Sequence, residues 1–199
     1  MTNIVITGGA GDWAKDFTKN YSSQFTILTP ARSELDITNK AMVSDYFNNT
    51  PCDVLINNAG CIHPERILTS DTEQWINDIN VNLIGTYLTT KAVLLNNPNA
   101  IIINISSTAA YNAYPNWSSY CASKAAVVTT SKCFANDGFA VYCLCPGAID
   151  TKFRDNLNLS NANVMPCSEL SKHVLDILEN KYAPGDVLFF RKGEFTLNP

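Results

Sequence analysis

The chain has 199 residues, enough for one domain with a sizeable core and too few for two ordinary ones. Hydrophobic residues make up 46% and charged residues 16%; the net charge is −4 and the sequence pI about 5.1. That acidic balance argues against nucleic acid as a partner, because gripping phosphates takes a basic surface.

Taken in chain order, apolar runs of strand length alternate with stretches of helical spacing. Residues 3–7 read as a strand and 12–21 as a helix. Residues 25–29 read as a strand, followed by a helix over 40–48 with Thr38 as its N-cap. A strand at 54–57 precedes a helix over 72–79 that leads into another over 81–95. Then come a strand at 100–106, a helix over 118–136, a strand at 140–145, a helix over 168–180 opened by Ser168, and a strand at 187–190. Each strand is short, apolar throughout and rich in Val or Ile, the pattern of strands covered on both faces. Such alternation predicts an α/β fold: one Rossmann-type domain over 1–199, a doubly wound parallel sheet of six to seven strands with helices on both faces. Only six residues separate Thr29 from Asp36. A right-handed crossover takes about a dozen or more, so any strand at 34–36 is expected to be vestigial or reached by a loop.

The chain starts Met1-Thr2-Asn3 and runs at once into Ile4-Val5-Ile6, too short an apolar stretch for a secretory signal. No run approaches the length of a membrane span. The seven cysteines include no Cys-x-x-Cys spacing, and no metal is expected. They read as reduced, mostly buried thiols of a cytoplasmic protein, with Cys143 and Cys145 on one face of a strand.

Two local patterns carry chemistry. The first is Ile4-Val5-Ile6-Thr7-Gly8-Gly9-Ala10-Gly11-Asp12-Trp13-Ala14: strand, tight glycine turn, helix. Glycine lets the backbone take positive φ and approach a pyrophosphate, and the helix start offers unpaired N–H groups to the anion. NAD selectivity normally uses a carboxylate at the end of the second strand, on the ribose 2′-hydroxyl. Here that place reads Thr29-Pro30-Ala31-Arg32. Arg32 can pair with a 2′-phosphate, so NADP is favoured, with NAD left open. The second pattern is Tyr120 and Lys124, four apart and hence on one helical face. A phenol with its pKa near 10 is a poor acid–base group at neutral pH. A nearby ammonium is expected to favour the phenolate and make it useful. Ser107 stands thirteen residues before Tyr120, at the carboxyl end of the strand over 100–106, where open α/β sheets bind ligands.

Together these residues resemble the short-chain dehydrogenases and reductases. Thr7-Gly8-Gly9-Ala10-Gly11-x-x-Ala14 is similar to the TGxxGxxG turn of the extended members, with Ala14 for the last glycine. In the TGxxxGxG register of single-domain members, Asp12 and Ala14 would replace two glycines and Asp12 would stand near the pyrophosphate. The first register is preferred, with Asp12 turned to the helix N-terminus, where a carboxylate is favoured. The resemblance implies cofactor contacts from Thr7, Gly8, Gly11, Asp12 and Trp13. It adds Asn58, Ala59 and Gly60 in the NNAG-like Asn57-Asn58-Ala59-Gly60 beside the adenosine, and Asp36 at the adenine. Pro146, Gly147, Ile149 and Thr151, in a PGxxxT-like segment, fall near the nicotinamide. It further implies a catalytic set of Asn82, Ser107, Tyr120 and Lys124. Ser107 holds the substrate oxygen and Tyr120 transfers its proton. Lys124 lowers the phenol's pKa and bonds the nicotinamide ribose, and Asn82 anchors a water linking Lys124 to solvent. Ser106 is the alternative serine. The activity implied is NAD(P)(H)-dependent interconversion of a carbonyl and an alcohol on a small-molecule substrate, in a homodimer or homotetramer, with neither membrane nor nucleic acid involved. The alternatives are an NADP-binding redox sensor without turnover, and a nucleotide-sugar reductase or epimerase. Tyr111, Tyr114 and Trp117 are candidates for an aromatic substrate pocket. His63 reads as a loop residue or a substrate contact, and His173 as a surface residue. The segment between Thr151 and Ser168 is short and Asn-rich where many family members carry a substrate lid.

Overall fold

The computed structural model describes residues 1–157 and 163–199. Six apolar segments become parallel strands: β1 (Asn3–Ile6), β2 (Thr26–Leu28), β3 (Val54–Asn57), β4 (Ile101–Ile105), β5 (Val141–Pro146) and β6 (Val187–Arg191). A seventh, β7 (Glu194–Leu197), folds back antiparallel on β6. The order across the sheet is β2-β1-β3-β4-β5-β6-β7, so the winding reverses between β1 and β3. Ligands of doubly wound sheets lie outside the carboxyl ends of the strands at such a switch point.

Side chains along β1 alternate between two cores, as the period of a strand demands. Ile4 and Ile6 pack with Trp13 and Phe17 of α1 (Asp12–Tyr21) and with Val174 and Ile177 of α6 (Cys167–Leu178). Val5, between them, faces the other way with Val43 and Phe47 of α2 (Lys40–Asn49) and Val93 of α4 (Thr86–Asn96). On that second side, α5 (Ser118–Asn136) lays Val127 and Val128 over Cys143, Cys145 and Val187. Helices therefore cover both faces, as the continuous apolar character of the inner strands predicts. Among the described residues no helix is long and apolar enough to cross a membrane.

Several local expectations are corrected. β2 has three residues and is largely uncovered, because it is the sheet's edge. In keeping with the short spacing, residues 34–36 form no strand, and the connection tucks Leu35 and Ile37 into the core beneath α2 and α4. Asn39, not Thr38, caps α2, accepting from Ala41 and Met42 N–H at 3.1 Å each. Thr38 donates its hydroxyl to Asp36 at 2.7 Å. The last helix begins at Cys167, behind Pro166, rather than at Ser168. His173 is buried, 5% exposed, between the rings of Phe190 and Phe195. β7 covers that histidine and has no counterpart among the strands expected from apolar runs. Of the seven cysteines, all free, three are buried.

One polar feature sits inside the core. Asn57 of β3 donates to Asn104 of β4 at 2.8 Å and to Thr90 of α4 at 3.0 Å, and accepts from Thr89 at 2.7 Å. Asn104 in turn donates to Ser131 of α5 at 2.8 Å. The network ties both central strands to both helices just below the strands' carboxyl ends. Replacing Asn104 by Ala strands buried partners on each side, and such orphaned groups cost about 1–3 kcal/mol each. Urea unfolding of Asn104→Ala should show a loss of about 2–4 kcal/mol; a loss under about 0.5 kcal/mol would mean that the network does not hold the strands to the helices.

Candidate active site

A cleft of about 1430 Å³ opens outside the carboxyl ends of β1, β3, β4 and β5. It is larger than the few hundred to about 1,000 Å³ of a typical small-molecule site. One lobe is lined by Gly8, Gly11, Asp12, Arg32, Asp36, Asn58, Ala59 and Gly60. The other is lined by Ser107, Tyr120, Lys124, Pro146, Gly147, Ile149 and Thr151. Most of the residues singled out from the sequence thus converge on one cavity.

The glycine turn closes tightly. Gly8 has φ +69°, and a Cβ there would stand 2.8 Å from Ala59 Cα. Gly9, which sequence reasoning passed over, allows the turn to pass Thr29; a Cβ on it would lie 2.3 Å from the Thr29 carbonyl oxygen. Gly11 is the N-cap of α1 and brings no side-chain cap. Unpaired amides at that helix end therefore face the cleft and suit an anionic diphosphate. Thr7 does not line the cleft. Its hydroxyl accepts from Asn58 and Ala59 N–H, both at 3.1 Å, and so pins the second cofactor-type segment to the turn. The Trp13 side chain turns into the core and donates to Ser171 at 3.1 Å, so any ligand contact from Trp13 falls to its main chain. Asp12 accepts from Lys152 N–H at 2.7 Å and fastens the segment after β5 to the start of α1. Arg32 is 77% exposed and ion-paired with Asp36 at 3.0 Å. Burial pushes the Asp36 carboxyl up, but hydrogen bonds from Thr38 and Arg32 outweigh it and hold its pKa below the usual value.

Tyr120 and Lys124 lie on one face of α5, both nearly buried, with the ammonium 5.6 Å from the phenol ring centroid. The Lys124 ammonium donates to the Ile105 carbonyl at 2.8 Å. Ser107 stands close enough to the Tyr120 hydroxyl to lower its pKa, while Ser106 donates to the Lys124 main-chain carbonyl at 2.8 Å. Ser107 is therefore the serine that meets the phenol. Burial pushes Tyr120 up to about 12, against the Ser107 hydrogen bond, and pushes Lys124 down to about 8. The expected lowering of the phenol by its neighbouring ammonium is absent here: desolvation outweighs it.

Asn82 lies beside the cleft rather than in its lining. It is fully buried in a single π-helical turn, Asn80–Gly85, between α3 (Thr72–Ile79) and α4. Its side chain accepts from Cys61 N–H at 2.9 Å and donates to Cys61 O at 2.9 Å and to Ser123 at 3.0 Å. With those bonds made, it positions the loop after Gly60. Tyr114 and Trp117 line the cleft, whereas Tyr111 packs edge-on against Phe189. Phe153 borders Tyr120 at 6.2 Å and carried no sequence signal. Much of the lid-like segment, residues 158–162, lies outside the described residues.

No spacing or motif pointed to a further cluster, built around Asp78, which is 0% exposed. Its carboxylate receives Ser119 Oγ at 2.6 Å, His63 Nδ1 at 2.7 Å, His63 N–H at 3.1 Å and Cys61 Sγ at 3.2 Å. Burial and the adjoining carboxylate push the Cys61 thiol up to about 12.

The chain matches the family model described as short chain dehydrogenase over residues 13–162. A curated relative, 2-dehydro-3-deoxy-D-gluconate 5-dehydrogenase of Bacillus subtilis, is 33% identical over 147 residues, covering 70% of this chain and 54% of the relative. The chain thus spans about half the length of that relative. Among solved structures, a gluconate 5-dehydrogenase from Burkholderia cenocepacia in complex with NADP and tartrate superposes with a TM-score of 0.84 at 19% identity, covering 96% of this chain and 94% of the other. A 3-ketoacyl-(acyl-carrier-protein) reductase from Brucella melitensis complexed with NADH superposes with a TM-score of 0.81 at 22% identity, covering 96% and 97%. At those identities the likeness establishes the fold.

The opposed displacements of Lys124 and Tyr120 have a signed consequence for stability. Between pH 8 and about 10.5 the unfolded chain holds the lysine proton and the folded chain does not, so Lys124 makes stability rise with pH. Above about pH 10 Tyr120 acts the other way, because the unfolded phenol ionises first. In urea titrations, wild type should gain stability relative to Lys124→Met as pH rises from 7.5 to 9.5; an unchanged difference would mean that the ammonium is not buried as described.

Proposed function

The chain belongs to the short-chain dehydrogenase family, and from that premise we propose that it interconverts a carbonyl and an alcohol with NAD(P)(H). The observation that carries the reading is the meeting of Ser107, Tyr120 and Lys124 in the cleft that also holds the glycine turn. When bound, the nicotinamide supplies or accepts the hydride. Ser107 orients the substrate oxygen against Tyr120. The Tyr120 hydroxyl gives that oxygen its proton in reduction and takes it back in oxidation. Lys124 provides the positive charge that steadies the phenolate and bonds the nicotinamide ribose. Asn82 is a positioning residue that holds the Cys61 loop. Retention of both Tyr120 and Lys124 supports turnover over redox sensing alone.

For the cofactor, Gly8, Gly11, Asp12 and the main chain of Trp13 surround the pyrophosphate. Asn58, Ala59, Gly60 and Asp36 flank the adenosine, while Pro146, Gly147, Ile149 and Thr151 flank the nicotinamide. NADP is the preferred form. Arg32 is an exposed cation lining the cleft, and its Asp36 partner leaves part of the guanidinium open to a 2′-phosphate. A cytoplasmic homodimer or homotetramer is the setting in which we place it, with Tyr87 and Ile84 among the exposed apolar residues on the α4 side.

Absorbance of the reduced nicotinamide against a panel of ketones, aldehydes and alcohols reads the activity directly. Tyr120→Phe should cut kcat by at least about a thousandfold while the cofactor Kd moves less than about threefold. Activity within about tenfold of wild type would dismiss Tyr120 as the proton donor. Arg32→Ala should weaken NADPH binding about tenfold or more and leave NADH nearly unaffected; tighter NADH than NADPH binding by wild type would reverse the preference.

A further inference from the structure

We propose that His63, held by the buried carboxylate of Asp78, is a specificity residue that accepts a hydrogen bond from a substrate hydroxyl near the reacting carbonyl. The substrate class is then hydroxylated ketones and the corresponding diols. The inference rests on the oxidoreductase reading of the cleft and narrows it.

A carboxylate with no solvent exposure is expensive unless every lone pair has a donor. Asp78 obtains four donors, but a backbone N–H, a hydroxyl and a thiol would leave its Oδ1 with only a weak partner. The imidazole completes the set at 2.7 Å. A carboxylate only accepts, so Nδ1 must carry the ring proton. In the neutral ring the opposite nitrogen, Nε2, then has a lone pair, and His63 lines the same cleft as Tyr120 and Ser107. Ile62, the residue before it, packs directly with Tyr120.

The support is rigid from both sides. The His63 backbone is tied to Asp78 on α3, Ser119 beside Tyr120 ties the same carboxylate to α5, and Glu65 N–H donates to Asn116 O at 2.8 Å. Cys61 is clamped by Asn82. Histidine is thus placed as a fixed acceptor in a wall that also carries Ile62, Pro64, Pro115, Asn116 and Trp117. A fixed acceptor lining a cleft favours a ligand hydroxyl and penalises an analogue that lacks it.

Cys61, His63 and Asp78 also place three metal-type ligand atoms within 4.8 Å of one another. The 2.7 Å between Nδ1 and Oδ1 suits a hydrogen bond. Two ligands of one tetrahedral zinc stand about 3.2 Å apart, given bonds near 2.0 Å. The hydrogen-bonded reading is therefore the one adopted.

The test uses pairs of C4–C6 ketones that differ by one hydroxyl next to the carbonyl. Wild type should prefer the hydroxylated member in kcat/KM. His63→Ala should reduce that preference ratio at least tenfold, and His63→Gln, whose amide oxygen accepts, should recover part of it. Nitrogen-15 NMR of histidine-labelled wild type should show the His63 proton on Nδ1, and Asp78→Asn should abolish that bias. This readout stands even if a His63 variant folds poorly. An unchanged preference ratio, a ring protonated on Nε2, or a thiolate-to-metal band on adding Co²⁺ would each overturn the proposal. Wild-type turnover without hydroxyl preference defeats this inference alone. Turnover of no compound in any pair, with no NAD(P) binding, defeats the oxidoreductase reading and this inference with it.

Discussion

Burying a phenol and an ammonium side by side on one turn of α5 drives both toward their neutral forms, and the rest of the site is arranged around that cost. Tyr120 is pushed up to about 12 and Lys124 down to about 8. The Tyr120 phenol is therefore held as a neutral hydroxyl beside Ser107. Lys124 is kept in place by the Ile105 carbonyl rather than by a carboxylate. Among the described residues no carboxylate pairs with it, so an anionic or polar ligand arriving in the cleft meets a cation. Desolvation strengthens whatever electrostatic interaction then forms.

The fold supplies this arrangement through strand ends. β4 runs out into Ser106 and Ser107, and the two serines act separately. Ser106 anchors the main chain of α5, and Ser107 meets the phenol. Asparagines hold the neighbouring parts. Asn57 and Asn104 tie β3 and β4 to the helices behind them, and Asn82 clamps the loop that follows Gly60. The single π turn at Asn80–Gly85 is what carries Asn82 inward, and such one-turn irregularities recur at functional sites. Gly85 completes the packing, since a Cβ there would meet Ile37 at 2.6 Å. Ile37 itself comes from the short connection after β2, so that edge of the sheet and the π turn that carries Asn82 support each other.

Local spacing made much of this legible from sequence. The glycine turn between Thr7 and Asp12, the four-residue step from Tyr120 to Lys124 and the buried apolar strands are short-range patterns, and short-range patterns fix backbone conformation and helical face. What spacing could not show was where a side chain's hydrogen bonds end. Asn82 matched a catalytic pattern, but its bonds to Cys61 and Ser123 carried no such signal. Trp13 stood in the right turn, yet its ring belongs to the core. Asp78 resembled any polar residue on a helix, and its partners His63 and Ser119 lie 15 and 41 residues away. The misplaced cap at Thr38 has the same origin: Asp36 claims that hydroxyl, so the neighbouring Asn39 caps instead. The exposed β2 and the covered His173 follow from edge position and from β7, neither of which hydrophobic period reveals.

The decisive question is whether charge brought by the cofactor turns the resting phenol into a group that exchanges protons near neutrality. Ultraviolet difference titration of tyrosine ionisation answers it most directly, with the protein alone and saturated with NADP⁺. The account predicts one tyrosine, lost in the Tyr120→Phe protein, whose ionisation moves from near 12 without cofactor to well below 10 with it. Titration curves that coincide with and without the dinucleotide would contradict the central claim that this buried pair is the proton-transfer machinery.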